Sequence, residues 1–474
     1  MSELKACPKC GKMMGYNSYF GSYYCTNCGW MGDPETYSVK IPGFAAHVLD
    51  ALAAHGYEAY VVGGCVRDTL LGKEPHDWDV CTNALPEEVM AVFPDTIPTG
   101  LKHGTVTVPV DKELVEVTTF RSDGSYTDHR HPAEVKFVSS INEDLARRDF
   151  TVNAMAFRSD GTLIDPFSGK ESLWRKGIQC VGDPDTRFQE DALRILRAMR
   201  FASVLGFEIE PETFDAMKRQ VHLLKFISAE RIQSELRKMI TGQNIRFVLL
   251  RYHQIFTQII PEFAPCINFN QHSIWHCYDV YSHIANAVGS SPSDELVRLA
   301  LLFHDIGKPA CFQMGEDGHG HFHGHGDISA KMADEIMSRL RFDNETHERV
   351  VKLILHHDVR LEANLKTVRR WIMKIGREDF GRFLHVRRAD ILAQSNHLRQ
   401  QRLDKCDLLE ELYHEVLKEK PLMSVRDLAI NGHDVMMLGY QEGPDVGKVL
   451  AELLENVLNG NVKNEKEALL NFIK

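Results

Sequence analysis

No apolar run in this chain of 474 residues approaches the roughly 18–20 residues that a membrane-spanning helix needs. The chain also does not start with a basic segment followed by an apolar one, which is the pattern of a secretory signal. We therefore expect a cytoplasmic protein with no membrane partner. The hydrophobic content of 43% is ordinary for a globular protein, so a sizeable core is available.

An excess of basic residues is also lacking, since the formal net charge is −11. This charge argues against a protein that coats nucleic acid through its overall positive charge, and a nucleic-acid partner would need local basic surface. Clusters of arginine supply candidates: Arg147 with Arg148, Arg194 with Arg197 and Arg200, Arg369 with Arg370, and Arg387 with Arg388. Most such charges are solvated faces, so they permit a nucleic-acid partner without establishing one.

The eleven cysteines fall into two groups. Seven are scattered singly, and without a secretory signal they are best interpreted as reduced core residues. The other four form two CxxC pairs, 7-CPKC-10 and 25-CTNC-28, each followed by a glycine that lets the chain turn back. This spacing is typical of a tetrahedral zinc ribbon with a structural role. We predict Zn2+ bound by Cys7, Cys10, Cys25 and Cys28.

Hydrophobic periodicity predicts an α+β protein that is mostly helical, with no internal repeats. Helices and strands alternate from about residue 41, as in an α/β sheet domain, whereas the helical period dominates almost without interruption beyond residue 185. Five regions are predicted: a zinc ribbon at 1–32, an α/β head at 41–175, a helical neck and body at 176–262, a histidine-rich helical domain at 270–400 and a helical tail at 401–474.

The stretch 61-VVGGCVRDTLLGKEPHDWDV-80 combines two glycines, an Arg-Asp pair and two aspartates separated by one residue. Asp77 and Asp79 lie where a strand is predicted to begin, so their side chains point to the same face. Two carboxylates placed in this way can hold the pair of Mg2+ ions that in-line displacement at phosphorus requires. Aspartate is also common in a turn before a strand, so the pattern alone is weak.

Gly63 and Gly64 strengthen the interpretation because they end an apolar strand. Without Cβ atoms the backbone can approach a triphosphate closely, and the N-terminus of a following helix favours anions. Arg67 is well placed for the phosphates, with Asp68 orienting it. Glu116 is predicted as the third catalytic carboxylate, because a charge in an otherwise apolar strand needs a partner. A surface glutamate on an edge strand is the alternative.

Seven motifs follow one another along residues 41–241: GGxVRD, DxD, 115-VEVTTFR-121, 147-RRDFTVNAMA-156, 163-LIDPFSG-169, 190-EDALRILRAMRFA-202 and 230-ERIQSEL-236. Together they resemble the class II bacterial tRNA nucleotidyltransferases, the CCA-adding enzymes of the poly(A) polymerase superfamily. The resemblance implies an α/β nucleotidyltransferase head followed by a helical neck, body and tail. It implies addition of C, C and A from CTP and ATP to the acceptor end of tRNA.

The resemblance also assigns roles to residues of the RRD motif. Arg148 and Asp149 are expected to contact the ribose and to favour ribonucleotides, with Asp165 supporting the same region. Asn153 and Arg197 are counted with the nucleotide-binding residues. The segment 121–134 is expected to be the mobile loop of the family.

The EDALR segment accounts for base choice on chemical grounds. Asp191 and Arg194 are three residues apart and are predicted to lie on one face of a helix. Aspartate only accepts hydrogen bonds and arginine only donates them. Cytosine and adenine both present an amino donor beside an acceptor. Uracil and guanine reverse this pattern and would leave buried polar groups unpaired, at about 1–3 kcal/mol each. Arg197, Arg231 and Glu235 are expected to hold the two base-selecting residues.

Histidines recur in the second half of the chain, in 276-HCYDVYSHI-284, 300-ALLFHDIGKP-309, 323-HGHGDISA-330 and 353-LILHHD-358. A single histidine on an apolar helix is more often a core residue than a ligand, but this recurrence resembles the HD phosphohydrolase superfamily. The resemblance implies a divalent transition metal and phosphatase or phosphodiesterase activity. The implied ligands are His283, His304, Asp305 and Asp390, with His325 and His357 (or His356) for a second metal or a phosphate. His276 is the alternative first ligand.

Two other functions are open at this point. A poly(A) polymerase shares the chemistry, although the GRRF-type element usual after its neck is not found. An HD phosphohydrolase could use the head as an RNA-binding module. The tail at 427–460 resembles the segment expected to grip the tRNA acceptor arm. Addition of CC or of A alone is also open, and so is the oligomeric state.

Overall fold

The computed structural model describes residues 5–6, 13–17, 22–26, 31–32, 40–123, 135–418, 424–441, 443–458 and 460–473. The chain forms two compact units, Met1–Glu235 and Leu236–Lys474. The described part of the first is α+β and that of the second is helical apart from one short hairpin, so the predicted α+β and mostly helical fold is confirmed. Among the described residues no helix combines the length and the apolar character needed to cross a membrane.

Four short strands near the N-terminus pair as an antiparallel sheet in chain order: β1 (Lys5–Ala6), β2 (Met13–Asn17), β3 (Ser22–Tyr24) and β4 (Met31–Gly32). Met14, Tyr23 and Cys25 form a small buried cluster there. Cys7, Cys10 and Cys28 lie outside the described residues. Zinc binding by the four cysteines therefore stays a prediction.

The head that follows contains a seven-stranded mixed sheet in the order β13-β12-β5-β6-β9-β8-β7. Its strands are β5 (Ala59–Val62), β6 (Asp79–Thr82), β7 (Ile97–Gly100), β8 (Thr105–Val110), β9 (Glu113–Thr119), β12 (Ala156–Phe157) and β13 (Leu163–Ile164). A separate hairpin pairs β10 (Arg121–Asp123) with β11 (Val135–Phe137), and residues 124–134 of the expected mobile loop lie outside the described residues. Further along, β14 (Gly177–Ile178) pairs in parallel with β15 (Glu208–Ile209).

One parallel pairing in the seven-stranded sheet sets the level of the functional side chains. β6 and β9 run in parallel with Val80 opposite Val117, while the other neighbours in this sheet are antiparallel. Val62 at the end of β5 is opposite Asp79 at the start of β6. Side chains at the same level of adjacent strands share a face, so the end of β5, the start of β6 and the middle of β9 meet.

The helices of this half are α1 (Gly43–Ala54), α2 (Gly64–Leu70), α3 (Pro86–Val92), α4 (Ile141–Ala146), α5 (Gly169–Arg175), α6 (Pro184–Glu190), α7 (Leu193–Leu205), α8 (Pro211–Gln220) and α9 (Ala229–Ile240). Helix α2 follows β5 directly and begins at Gly64. The EDALR segment, predicted to be helical, is interrupted at Asp191 and Ala192, between α6 and α7.

The second unit is built from α10 (Ile245–Arg251), α11 (His253–Ile259), α12 (Val280–Gly289), α13 (Glu295–Phe303), α14 (His325–Arg339), α15 (Asn344–His356), α16 (Leu365–Ile375), α17 (Arg377–Ala393), α18 (Arg399–Lys418), α19 (Gly432–Met436), α20 (Pro444–Leu458) and α21 (Lys466–Phe472), with one hairpin of β16 (Gln313–Met314) and β17 (Gly320–His321). Several helix starts are set by local sequence. The carboxylates of Asp279, Asp294 and Asp343 accept backbone hydrogen bonds at the starts of α12, α13 and α15, which stabilises each helix by about 1 kcal/mol.

We expect Gly169→Ala to destabilise the first unit by about 1–3 kcal/mol, the usual cost of overpacking. A Cβ at Gly169 would lie 2.2 Å from the backbone oxygen of Thr151 and 2.8 Å from Cγ of Met155. The backbone at Thr151 cannot rotate away as a side chain can. Thermal unfolding should therefore show a lower midpoint for this variant.

Gly43→Ala is the matched control, because no atom lies within 4 Å of a Cβ built at Gly43. Alanine is also the better helix former at this first residue of α1. Equal unfolding temperatures for the two variants would contradict the packing described around Gly169.

Candidate active site and a histidine-rich centre

Three carboxylates gather on the inner strands of the head sheet, at the level where β6 begins. Asp79 begins β6, Asp77 lies two residues before the strand, and Glu116 is at the level of Asp79 on β9. Asp77 and Glu116 are exposed, and Asp79 is partly buried. Because Glu116 is exposed, burial did not require a partner for it. The strand register is what brings it next to Asp79.

The electrostatics of this group are unfavourable without a cation. Burial, followed by the negative charges of Glu116 and Asp77, raises the pKa of Asp79 to about 6, although Arg148 opposes the effect. Carboxylate oxygens on one face are the ligands that Mg2+ prefers. The donor set therefore fits divalent metal ions, which would relieve the repulsion.

The two glycines occupy the turn from β5 into α2. Gly63 has φ of 77°, a conformation that suits glycine, and a Cβ there would lie 3.0 Å from Nη1 of Arg148. Arg67 lies one turn into α2. Its guanidinium donates to both carboxylate oxygens of Asp68 at 2.9 Å and to Oδ1 of Asn153 at 2.7 Å.

The RRD motif is held by buried ion pairs. Nη2 of Arg147 lies 2.8 Å from Oδ1 of Asp144, and Nη2 of Arg148 lies 3.1 Å from Oδ2 of the same carboxylate. Asp149 accepts from Nε of Arg197 at 2.8 Å and from Nδ2 of Asn153 at 3.2 Å. Burial would raise the pKa of Asp149, but Arg197 and Asn153 lower it below the usual range.

Asp144 is an anchoring residue that the sequence analysis missed. Its side chain is fully buried, and it holds both arginines of the RRD motif. The backbone N–H of Arg121, where the 121–134 segment begins, donates to it at 3.4 Å. The signal was present in the sequence, because an acid followed by arginines at i+3 and i+4 forms ion pairs on a helix.

The base-selecting pair is arranged differently from the prediction. Asp191 is not inside a helix: it follows α6 in extended conformation, and its Oδ1 accepts from the N–H of Leu193 at the start of α7. The two carboxylate oxygens also accept from Arg231, at 3.3 and 2.8 Å. Arg194 remains within reach, since its N–H donates to the backbone oxygen of Asp191 at 3.0 Å.

Arg194 is buried and held from several sides. Its Nη1 donates to Oε2 of Glu190 at 2.6 Å and to the carbonyl of Arg187 at 3.1 Å. Its Nη2 donates to the carbonyl of Arg147 at 2.9 Å. This last bond joins the base-selecting segment to the RRD motif. Further back, Glu235 pairs with Arg200 at 2.6 Å and with Arg197 at 3.9 Å.

The second unit brings together all six histidine and aspartate residues implied by the HD resemblance. They come from the ends or inner faces of five helices: His283 in α12, His304 and Asp305 after α13, His325 at the start of α14, His357 after α15 and Asp390 in α17. Two groups of possible metal ligands share one carboxylate: His283 with His304 and Asp305, and Asp305 with His325 and His357.

The distances within these groups are short. Nε2 of His283 lies 3.2 Å from Nε2 of His304, 3.1 Å from Oδ2 of Asp305 and 3.0 Å from Oδ1 of Asp390. In the second group, Nε2 of His325 lies 3.0 Å from Nε2 of His357 and 3.4 Å from Oδ1 of Asp305. Asp305 therefore has one oxygen toward each pair of histidines.

Each histidine is oriented through its other ring nitrogen. Nδ1 of His283, His304, His325 and His357 lies 3.3, 2.7, 2.9 and 2.7 Å from a backbone carbonyl, respectively. Metal-binding histidines almost always donate this second N–H to a carbonyl or carboxylate. The Nε2 atoms are then left as lone-pair donors that converge. This donor set fits divalent transition metals.

The charges of the centre are strongly coupled. Burial alone would lower the pKa of His304, but the carboxylates of Asp305 and Asp390 raise it to about 10. Lys308 adds a positive charge, with Nζ 2.7 Å from Oδ2 of Asp305. It also donates to Oε1 of Gln271 at 2.9 Å. Lys308 and Gln271 are buried polar residues that the sequence analysis did not single out.

The two alternative histidines lie outside both groups. Burial and the charge of Lys308 lower the pKa of His276 to about 2, and its Nε2 lies 3.4 Å from Nζ of Lys308. His356 packs edge-on against Trp371, with ring centroids 5.1 Å apart.

Three family models match successive parts of the chain. "Poly A polymerase head domain" matches residues 59–179, "Probable RNA and SrmB- binding site of polymerase A" matches 206–267, and tRNA nucleotidyltransferase domain 2 matches 322–473.

Curated proteins and solved structures match over most of the length. The chain is 36% identical to the CCA-adding enzyme of Levilactobacillus brevis over 437 residues, which is 92% of this chain and 97% of that protein. It is 34% identical to that of Anoxybacillus flavithermus over 435 residues, 90% of this chain and 95% of that protein. The Bacillus stearothermophilus CCA-adding enzyme in complex with CTP has a TM-score of 0.67 at 31% identity, covering 91% of this chain and 96% of that one.

We expect Asp79→Asn to stabilise the metal-free protein at neutral pH. The pKa of about 6 in the folded state lies above the value of roughly 3.9 for an unfolded aspartate, so the folded state binds this proton more tightly. Ionisation therefore lowers the free energy of unfolding as the pH rises from about 4 to about 6. Above that the loss stays constant, on the order of 1–3 kcal/mol.

Thermal unfolding in EDTA should show a higher midpoint for Asp79→Asn than for wild type at pH 7.5, and a difference that vanishes toward pH 4. Added Mg2+ should stabilise the wild type more than the variant. Glu113→Gln, which removes an exposed carboxylate at the first residue of β9, should have no such effect. A variant no more stable than wild type at pH 7.5 would show that the carboxylates do not repel one another.

Proposed function

This chain belongs to the family of CCA-adding enzymes and is a nucleotidyltransferase, and we propose that its head adds C, C and A in turn to the 3′ end of tRNA. CTP and ATP are the proposed nucleotide substrates, and the cytoplasm is the proposed location. The 3′-OH attacks the α-phosphorus and releases its proton to solvent, the bond from this phosphorus to the bridging oxygen breaks, and pyrophosphate leaves. The observation that carries the proposal is that the carboxylates of Asp77, Asp79 and Glu116 lie close together.

Those three side chains would hold Mg2+. When bound, the ions would neutralise charge on the attacking and leaving oxygens and align them. The chain itself would bind the triphosphate at the Gly63–Gly64 turn, where Cβ atoms are missing, and with the guanidinium of Arg67. Arg67 is kept in place by Asp68 and Asn153, so it need not be ordered when the nucleotide arrives.

Ribose binding is assigned to Arg148 and Asp149. Both are fixed before a nucleotide binds, Arg148 by Asp144 and Asp149 by Arg197. Pre-positioned polar groups lose less conformational entropy on binding. A 2′-OH can then be recognised by groups that are already oriented, which favours ribonucleotides.

Base selection is assigned to Asp191 and Arg194. A carboxylate oxygen has two acceptor sites, so Asp191 can receive the amino group of C or A while Arg231 still holds it. Arg194 would supply the donor for the ring acceptor. Uracil and guanine would place a carbonyl against the Asp191 carboxylate and a ring N–H against the Arg194 guanidinium. Each polar group left unpaired in this way costs about 1–3 kcal/mol.

We expect a tRNA transcript without its last three nucleotides to gain two residues with CTP and Mg2+, and a third when ATP is also present. Asp77→Asn together with Asp79→Asn should lower the rate by at least about 100-fold, because the ligands for the metal ions are gone. Glu113→Gln, at the start of the same strand as Glu116, should leave the rate unchanged. Gel analysis of single-nucleotide extension measures each case.

The products separate the alternatives. A long A-tail from ATP alone would identify a poly(A) polymerase instead. No extension under any condition would overturn the assignment of the head.

A second function is favoured by the histidine-rich centre. We propose that it binds divalent transition metal ions and hydrolyses phosphate esters. Water adds to phosphorus, the P–O ester bond breaks, the alcohol leaves with one proton and the other stays on the phosphate. Bound metal would supply Lewis-acid polarisation of the phosphate. Asp305 would contribute to both ligand groups. Lys308 neutralises part of its charge and fixes the orientation of its carboxylate.

We expect Asp305→Asn to abolish metal-dependent phosphate release and to reduce bound Mn2+, measured by elemental analysis after dialysis. The change removes the one carboxylate shared by both ligand groups. CCA addition should be retained. Asp317→Asn, at an exposed residue between β16 and β17, is the control and should keep both. Wild-type protein that retains no metal after Mn2+ loading would contradict the proposal.

A further inference from the structure

Two segments flanking the histidine-rich centre expose large side chains. Ile274, Trp275 and Tyr278, in the loop before α12, are 52%, 37% and 41% exposed, and Leu398, just before α18, is 45% exposed. Single exposed apolar residues are normal on a protein surface. Three within residues 274–278, with a fourth on an adjoining segment, form a patch of the kind that marks a binding site.

Trp275 is fixed within this patch. Its backbone oxygen accepts from the N–H of Ser395 at 2.8 Å, and Oγ of Ser395 donates to the oxygen of Ile274 at 2.6 Å. The ring of His397 stands edge-on to the indole, with centroids 4.5 Å apart. The guanidinium of Arg402 lies over the indole at 5.4 Å.

The patch is joined to the centre from two directions. Arg402 donates to Oε1 of Gln394, and Nε2 of the same amide donates to Oδ1 of Asp390 at 2.8 Å. On the other side, the residue after Trp275 is His276, whose ring centroid is 5.0 Å from that of His283. The indole is thus separated from two metal-ligand candidates by one or two side chains.

Polar atoms next to the patch have no partner within the described part of the chain. Nδ1 of His276 and Nε of Arg399 are buried and make no hydrogen bond there. A buried polar atom left without a partner costs about 1–3 kcal/mol. The hydrogen bonding beside the patch is therefore incomplete within the described part of the chain.

We propose that Trp275, with His397 and Arg402, forms a base-stacking platform for a nucleotide whose phosphate is bound at the histidine-rich centre. The inference rests on the proposed hydrolytic function and adds to it the side chains that would bind the base of the substrate. Aromatic rings stack on any base, and arginine adds cation–π attraction. The platform accepts purines whether or not they fit the base-selecting pair in the head.

GMP is the probe, because Asp191 and Arg194 in the head are expected to reject guanine. Calorimetric titration would use the full chain carrying Asp77→Asn and Asp79→Asn, loaded with Mn2+. Trp275→Ala should weaken GMP binding by about 5- to 100-fold, the range expected for loss of one stacked base. Trp275→Phe should keep most of the affinity. Trp174→Ala, at an exposed tryptophan of the first unit, is the matched control.

Hydrolysis of GMP and of glycerol 2-phosphate, which has no ring to stack, gives a second readout. Trp275→Ala should raise KM for GMP and leave glycerol 2-phosphate unchanged. Bound Mn2+ and the unfolding temperature report whether the variant is still folded. A short RNA ending in a guanosine 3′-phosphate separates the two sources of ligand: tighter binding than GMP assigns the platform to RNA ends, and equal binding assigns it to mononucleotides.

The outcomes separate the two proposals. If Trp275→Ala binds GMP as well as its parent while Asp305→Asn does not, the platform is wrong and the metal centre stands. If Asp305→Asn also binds GMP normally, the phosphate is not at the centre and the hydrolytic proposal loses its basis. If the parent does not bind GMP at all, the platform is overturned.

Discussion

The parallel pairing of β6 with β9 is the constraint on which the head depends. A register with Val80 opposite Val117 places Asp79 and Glu116 side by side. The antiparallel pairing of β5 with β6 brings the Gly63–Gly64 turn next to them. A slip by one residue would turn Glu116 to the other face of the sheet. The strand order therefore holds these carboxylates close enough to repel one another, and a bound cation would offset the repulsion.

The basic residues around this edge are mostly committed to partners. The arginine clusters that the sequence offered as nucleic-acid patches are largely ion-paired: Arg147 and Arg148 with Asp144, Arg197 with Asp149, Arg194 with Glu190, and Arg200 with Glu235. Pairing lowers the positive potential available to an RNA backbone. It also fixes the guanidinium groups in position. In this chain of net charge −11, arginine near the site contributes to geometry more than to long-range attraction.

Ordered motifs and periodicity were sufficient to predict the α+β, mostly helical fold, and they singled out three carboxylates that lie close together in the head. The sequence could not show where local side-chain contacts override a helical pattern. Asp191 bonds to the N–H of Leu193 and to Arg231, forty positions along the chain. Aspartate competes with helix formation through such bonds. The bond to Arg231 stabilises the interruption of the helix at Asp191. A partner so distant in sequence leaves no periodic signal.

Choosing between neighbouring histidines was limited in the same way. The sequence favoured His283 as the first ligand with His276 as the alternative, and their rings lie 5.0 Å apart. What separates them is the environment of each Nε2, since that of His283 lies within 3.2 Å of His304 and of two carboxylates. That of His276 is near the ammonium of Lys308. Among the described residues His276 belongs to neither group of possible ligands, so tertiary position distinguishes two residues that spacing alone does not.

The two candidate metal sites, the carboxylates of the head and the histidine-rich centre, differ in burial and in ligand type. The head groups carboxylates at a partly exposed edge, where ions can be exchanged with each incoming nucleotide and the leaving pyrophosphate can carry charge away. The histidine-rich centre is buried, draws most of its donor atoms from imidazole rings and pairs Asp305 with Lys308. Burial makes charge costly unless it is paired, so a buried site favours nitrogen ligands and a resident metal. The difference in ligand type thus follows from the difference in burial, and it predicts that chelators remove activity from the head faster than from the centre.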